Sequence, residues 1–451
     1  MNAPTKPVEA QPWHLQGNWA PVLDEIDAGP LRIRGELPRE LSGDYVRAGM
    51  NPRSGRSDHW FAGCGMLHAV TLENGEARYR NRFVRTPYFE QDMTLMSGMS
   101  DPAASPANTN IIQHAGHWLA LEEAHLPWKV DRDLSTVGAH DFAGRLRGAM
   151  TAHPRVCPVT GELLFFGYQL ARPPYLTYYR ADAAGQLVET ESIEIPNPVM
   201  MHDWNITRNF VVFMDLPVVF DLKAAMRGEP PLAFRPEAGA RLGVMRREGA
   251  GGQVRWFEIN PCYVFHPVNA HEDGERIVLH VCRQESAMAG GFENLYGGPA
   301  TTGRLWRWTI NLSAGTVTEE QLDDVATDFP RVNDRLVGLP ARWAYTSSLD
   351  DAAASLTLGS NLYKYDLGTG ARVTRDFGRD NHLGEPIFVP RDGATEEDAG
   401  WIMALRHDEA ADESTLVILN AQDFDGAPAA EVIMPRRVPY GAHGNWMPQR
   451  A

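Results

Sequence analysis

The stretch 152–168 reads AHPRVCPVTGELLFFGY, and its pattern returns twice, as MHDWNITRNFVVFMD at 201–215 and FHPVNAHEDGERIVLHVC at 265–282. Each copy carries a histidine at its opening (His153, His202, His266). Each then passes through a polar turn and re-enters an apolar run about ten residues later. The runs LLFF, FVVF and RIVL are short and rich in β-branched and aromatic residues, and Gly, Asn or Asp bounds them, which marks them as strands. The three histidines lie 49 and 64 residues apart (153 to 202, 202 to 266). A four-stranded propeller blade with generous loops has that length. The repeat therefore places three histidines at the inner ends of successive blades, facing one axis.

Outward from these copies the same texture continues. RLWRWTINL (304–312) and SNLYKYDLGTGARVTRDF (360–377) read as further strands between turn signals. Helical periodicity is scarce; LPVVFDLKAAMRG (216–228) and PVLDEID (21–27) read as short helices. The 41 glycines and 32 prolines suit many tight connections. The chain is all-β, in a closed architecture that abolishes sheet edges. By length alone, 451 residues allow two or three domains. No linker interrupts them, so one domain is expected over 1–451, with 1–30 as an N-terminal extension and 31–451 as the propeller with inserted segments.

Charge and cysteine usage exclude several classes. The net charge is −16 and no basic tract stands out, which argues against nucleic-acid binding. The first residues show no signal peptide, and no run reaches the roughly 18 apolar residues of a membrane span. Cys64, Cys157, Cys262 and Cys282 form no CxxC pair, so neither a disulfide framework nor a zinc knuckle is suggested. A reducing, cytoplasmic setting is expected.

A fourth histidine stands near the end, in PYGAHGNWMPQRA (439–451). Pro439, Tyr440, Trp446 and Met447 make this segment read as buried, and Gly441 and Gly444 would let it run close to other strands. If it closes the ring, His443 joins the other three on the axis. Four neutral imidazoles suit iron, copper, nickel or zinc. With no thiolate or carboxylate among them, carboxylates are expected behind the rings, each accepting an imidazole N–H. Glu122, Glu123, Asp328 and Glu385 are the candidates. Spacing alone also leaves open that these are ordinary hydrogen-bonded core histidines.

Taken together, LPRELSGDYVRAGMNP (37–52), HWFAGCGMLHAV (59–70), ANTNIIQHAGHWLALEEA (107–124), MMHDWNITRNFVVF (200–213), CYVFHPVNAHEDGE (262–275), GEPIFVP (384–390), GAHGNW (441–446) and the 151–168 stretch resemble the carotenoid cleavage oxygenase family. The resemblance implies a seven-bladed β-propeller with a cap of loops and short helices over its top face. It implies Fe(II) on the axis, with His153, His202, His266 and His443 as ligands. The family's supporting glutamates fall on Glu123, Glu385 and Asp328, the last in DFPR where the family has EFPR. The shorter Asp would need a small backbone shift or a water to reach its histidine. In HWFAGCGM, Ala62 and Cys64 replace the acids of the family's HWFDGDGM, which bears on loop geometry. Thr109 matches a threonine that in some members lies beside an open iron position; its other reading is a buried threonine satisfying backbone.

The activity implied is oxidative cleavage of a C=C bond by O2 into two carbonyl products, without reductant or organic cofactor. Phe89, Met93, Met96, Met99, Trp128, Trp204 and Phe265 are candidate linings for an apolar tunnel. Stilbene- and isoeugenol-cleaving relatives bind a phenol with a tyrosine and a lysine. Met99 and Glu122 stand at those positions here, and neither stabilises a phenolate. A carotenoid or apocarotenoid is therefore the expected substrate. A stilbene or phenylpropene is the alternative, and behind it an isomerohydrolase or a binding propeller with a structural metal. The segment LPVVFDLKAAM (216–226) suggests peripheral membrane contact, against the reading of a helix that merely caps the propeller.

Overall fold

The structure, a computed structural model, describes residues 11–98, 100–227, 229–248, 253–288 and 299–449. Its strands form seven antiparallel sheets arranged as propeller blades, with one small extra hairpin. Each copy of the repeat read from the sequence supplies the first two strands of a blade. In the third blade the histidine precedes Arg155–Val156, and LLFFGY forms Leu163–Tyr168 beside it. In the fourth, Asn205–Ile206 pairs with Phe210–Asp215. In the fifth, His266 lies within the long strand Tyr263–Asp273, paired with Arg276–Gln284.

The unequal histidine spacing has a local cause. Between Phe210–Asp215 and Ala240–Arg246, neighbours in the fourth blade, the chain inserts a hairpin. Val218–Phe220 pairs there with Leu232–Phe234, and a short helix, Leu222–Met226, joins them. Of the segment expected to be helical at 216–228, only Leu222–Met226 is helix among the described residues. At 21–27 no helix forms. Val22 is held extended by the Asn51 side chain, which accepts from its N–H and donates to its carbonyl. Ile26 N–H donates to the Asn81 side chain. These tertiary bonds take the backbone groups that a helical turn would use.

Core packing lies mainly between blades. Leu164, Phe166 and Tyr178 of the third blade meet Trp204, Val211 and Phe213 of the fourth. Blades covered on both faces explain why inner runs read as continuous apolar stretches rather than alternating ones; Gly43–Met50 is buried at all eight positions.

The ring is closed from both directions. Ile33–Gly35 adds to the seventh blade against Ala430–Ile433. Gly444–Pro448 adds to the first blade against Gly43–Met50. The late segment runs close to its neighbour: a Cβ on Gly444 would lie 2.7 Å from the Val46 carbonyl oxygen, and one on Gly441 2.6 Å from that of Ala48. Neither backbone oxygen can swing away without breaking strand pairing. Gly444→Ala is expected to destabilise the protein by about 2–4 kcal/mol, read as a lower midpoint in thermal or urea unfolding. An unchanged midpoint would mean that this seam is not tightly packed.

Candidate metal centre

The last strand brings His443 to the place the repeat prepares. His153, His202, His266 and His443 are all buried, and one ring nitrogen of each lies within 4.8 Å of the others. The Nε2 atoms of His153 and His202 are 3.0 Å apart, and those of His202 and His266 3.3 Å. His443 stacks edge-on to His153 and His266, with ring centroids 4.6 and 4.7 Å apart.

What stands behind the rings fixes their tautomers. His202 Nδ1 lies 2.6 Å from Glu123, His266 Nδ1 2.9 Å from Asp328 and His443 Nδ1 3.0 Å from Glu385. An ionised carboxylate only accepts, so each of these Nδ1 atoms donates and each Nε2 presents a lone pair to the centre. Burial and its imidazole neighbours keep His153 far below the usual histidine range. Burial likewise holds His443 down, to about 4. In His266 burial acts in the same direction, but Asp328 outweighs it and raises the group. Burial opposes ionisation of Glu385, yet His443 and Arg331 hold its carboxyl at about 2, so it is anionic at neutral pH. Converging ring nitrogens with carboxylates behind them are a donor set for a divalent cation, and the residues present fit such an ion.

The three expected carboxylates thus each face one histidine. Asp328 reaches His266 directly, without an intervening water. Its strand, Thr327–Arg331, shifts register between Asp328 and Arg331, and Phe329 takes a left-handed φ of +54°. Glu122 turns away from the centre: it pairs with buried His125 at 2.5 Å and accepts from Ala124 N–H. Thr109 lies beside the late segment through its backbone, its carbonyl accepting from His443 N–H, while its hydroxyl donates to Asn108. Cys64 is buried, and burial raises its thiol, the opposite of an activated nucleophile. Where the acids are missing from that loop, Asn108 donates to the carbonyls of Phe61 and Gly63.

Sequence reading missed four groups. Asp203, next to His202, lies 3.5 Å from His153 Nδ1 and pairs with Arg155 at 2.6 Å. Arg331 donates to Glu385 and to the Gly444 carbonyl. Tyr168 donates to Glu123 at 2.6 Å. The only signal for Asp203 was its adjacency to a ligand candidate; the others are visible only in three dimensions.

The two sides of the imidazole set differ. Residues following the histidines, with Asp203, Arg155 and Arg331, line a polar axial cavity of about 320 Å³. Residues preceding them (Met200, Phe265, Ala442) join one apolar cluster with Trp60, Leu216 and Leu232. Of the expected tunnel linings among the described residues, only Phe265 belongs there, its ring 5.2 Å from that of His202. Trp204 packs between the third and fourth blades with Phe166, Tyr178 and Phe213, in the same cluster as Met201 on the other side of the histidine. Trp128 packs with Val46 and Leu67 of the first blade, and Phe89 with Phe83 and Met93. Met99 and the Met96 side chain lie outside the described residues.

The family model described as retinal pigment epithelial membrane protein (RPE65) matches residues 19–448. A carotenoid cleavage oxygenase of Mycobacterium tuberculosis is 38% identical over 98% of both chains. A carotenoid 9,10(9′,10′)-cleavage dioxygenase of Arabidopsis thaliana is 34% identical over 95% of this chain and 89% of its own. Among solved structures, a lignostilbene dioxygenase of Pseudomonas brassicacearum superposes with a TM-score of 0.88, at 27% identity, over 98% of this chain and all of its own.

Removing one imidazole and removing one supporting carboxylate should differ in degree. His202→Ala is expected to lose stoichiometric metal, and Glu385→Gln to weaken metal affinity about 10- to 100-fold. Elemental analysis and competition with a chelator measure both. Full occupancy in His202→Ala would remove that histidine from the centre.

Proposed function

Because the chain belongs to the RPE65/carotenoid cleavage oxygenase family, we propose that it is a non-heme Fe(II) dioxygenase that cleaves a C=C bond of a carotenoid or apocarotenoid into two carbonyl products. The observation that carries this reading is the position of the four imidazoles between an apolar cluster and a polar axial cavity. In it, His153, His202, His266 and His443 hold the iron, and Glu123, Asp328 and Glu385 orient three of them. Bound there, ferrous iron supplies the means to activate O2.

The protein's own part is positional. Phe265, Met200 and Ala442 present an apolar surface on which an alkene is held beside the metal with water excluded. The imidazoles stay aimed because their N–H groups are tied to buried acids. Thr109, whose backbone is bonded to that of His443, is placed to limit access on that side.

The polyene reading rests on Glu122. Its carboxylate is occupied by His125 and offers nothing to a phenolate, whereas a polyene's conjugation supplies electrons without deprotonation. A stilbene is the second reading, favoured by the structural likeness to the lignostilbene dioxygenase. Incubating iron-loaded protein aerobically with an apocarotenal and, separately, with a hydroxystilbene separates them. Two carbonyl products and one O2 consumed per apocarotenal cleaved are expected. Aldehydes from the stilbene alone would overturn the substrate assignment, and turnover independent of O2 the reaction class.

Peripheral membrane contact is the accompanying proposal. No helix among the described residues is long and apolar enough to cross a membrane. Leu222 and Met226, on the inserted helix, are nonetheless 55% and 81% exposed, with Lys223 and Arg227 beside them. An apolar edge flanked by cations suits an anionic lipid surface. Co-sedimentation with vesicles containing anionic lipid should fall in a Leu222→Asp, Met226→Asp double variant. Equal sedimentation of both proteins would reject the contact.

A further inference from the structure

We propose that a single small anion of the halide class occupies a small cavity behind the segment that carries His443. The argument begins at Arg47, in the middle of Gly43–Met50. Its side chain is buried, with 5% of the residue exposed. It makes no ion pair among the described residues. Its one hydrogen bond runs from a terminal nitrogen to the Pro439 carbonyl at 2.5 Å, and its Nε–H has no partner. Burial lowers its affinity for its proton, and no carboxylate offsets that. Buried charges are ordinarily paired, so an isolated guanidinium calls for a counter-ion.

A cavity of about 10 Å³, room for one water-sized particle, adjoins this guanidinium. Asn18, Tyr440, His407 and Ser414 also line it. Arg47 Nε is buried without a hydrogen-bond partner, and the Asn18 amide and Tyr440 hydroxyl, which interact with each other, are buried beside it. The Asn18 amide is oriented by Arg437, which donates to its Oδ1 and leaves the NH2 for the cavity. Ser414 Oγ already accepts from Val438 N–H and lies 3.3 Å from His407 Nδ1. One unsatisfied cationic donor, with an amide and a hydroxyl beside it, therefore borders this small space.

The surrounding charges reinforce this sign. Arg436 and Arg406 are matched by Asp24 and Glu431, each at 2.7 Å. Arg437 has only carbonyl and amide oxygens as hydrogen-bond acceptors. His68, opposite Arg47 on the next strand, is kept neutral by burial and by these arginines. The acid nearest the cavity-lining His407 is Asp412, 3.7 Å from its Nε2, and its side chain is 75% exposed. A water would satisfy donors but leave the charge; a halide does both. It would link the turn Gly17–Trp19, the first blade and the closing segment, where Tyr440 N–H already donates to the Asn18 carbonyl.

The test compares thermal unfolding of metal-loaded protein in sodium chloride and sodium gluconate at equal ionic strength, alongside anomalous diffraction from bromide-soaked crystals. A saturable chloride-specific rise of about 2–5 °C is expected, with a bromide peak within contact distance of Arg47, Asn18 and Tyr440. Arg47→Met should abolish the rise and Tyr440→Phe should reduce it. If Arg47→Met does not fold, the wild-type peak and the Tyr440→Phe shift decide. No chloride-specific rise, or a peak without a saturable effect in solution, would overturn the proposal.

Discussion

The structure depends on a repulsion. Three buried imidazoles, His202, His266 and His443, give their Nδ1 hydrogens to Glu123, Asp328 and Glu385, so the Nε2 lone pairs of His202 and His266 face each other at 3.3 Å. Such an arrangement is unfavourable by itself and becomes favourable around a cation. Four blade positions, the register shift at Asp328 and the close approach of Gly444 to Val46 all serve to bring these nitrogens together. Arg331 binds two parts of the device to each other. It follows Asp328 in the sixth blade and reaches both Glu385 and the backbone beside His443.

Much of this was legible in the chain. The histidine-turn-strand repeat at 152–168, 201–215 and 265–282 carries the blade as a unit, because inner strands buried on both faces keep continuous apolar runs. His443 was legible because a segment with Tyr440, Trp446 and paired glycines makes little sense in a loose tail. What failed to show has a common physical origin. The extended course of 21–27 is set by Asn51 and Asn81, far along the chain, and local propensity cannot see them. Trp204 reads as a tunnel lining by composition alone. Its place between blades is set by Phe166, Tyr178 and Phe213, which only the folded strands bring beside it.

Asp203 illustrates the same limit from the other side. Glu123, Asp328 and Glu385 stand far from their histidines in sequence and reach them from other blades. Asp203 stands next to His202, yet it serves His153 in the adjoining blade, with Arg155 closing the exchange. The fourth blade thus carries one histidine and supports another in the third, so the centre belongs to the ring rather than to any blade.

The late position of His443 has a consequence for biosynthesis. The ribosome delivers His153, His202 and His266 long before His443. A nascent chain still holding residue 443 in the exit tunnel can offer three imidazoles at most, with Glu385 lacking the ring it supports and the first blade lacking Gly444–Pro448. Full coordination and the inner strand of the first blade therefore arrive in one event. Metal capture then reports that the final strand has docked, and any quality control that senses the metal senses the completeness of the fold.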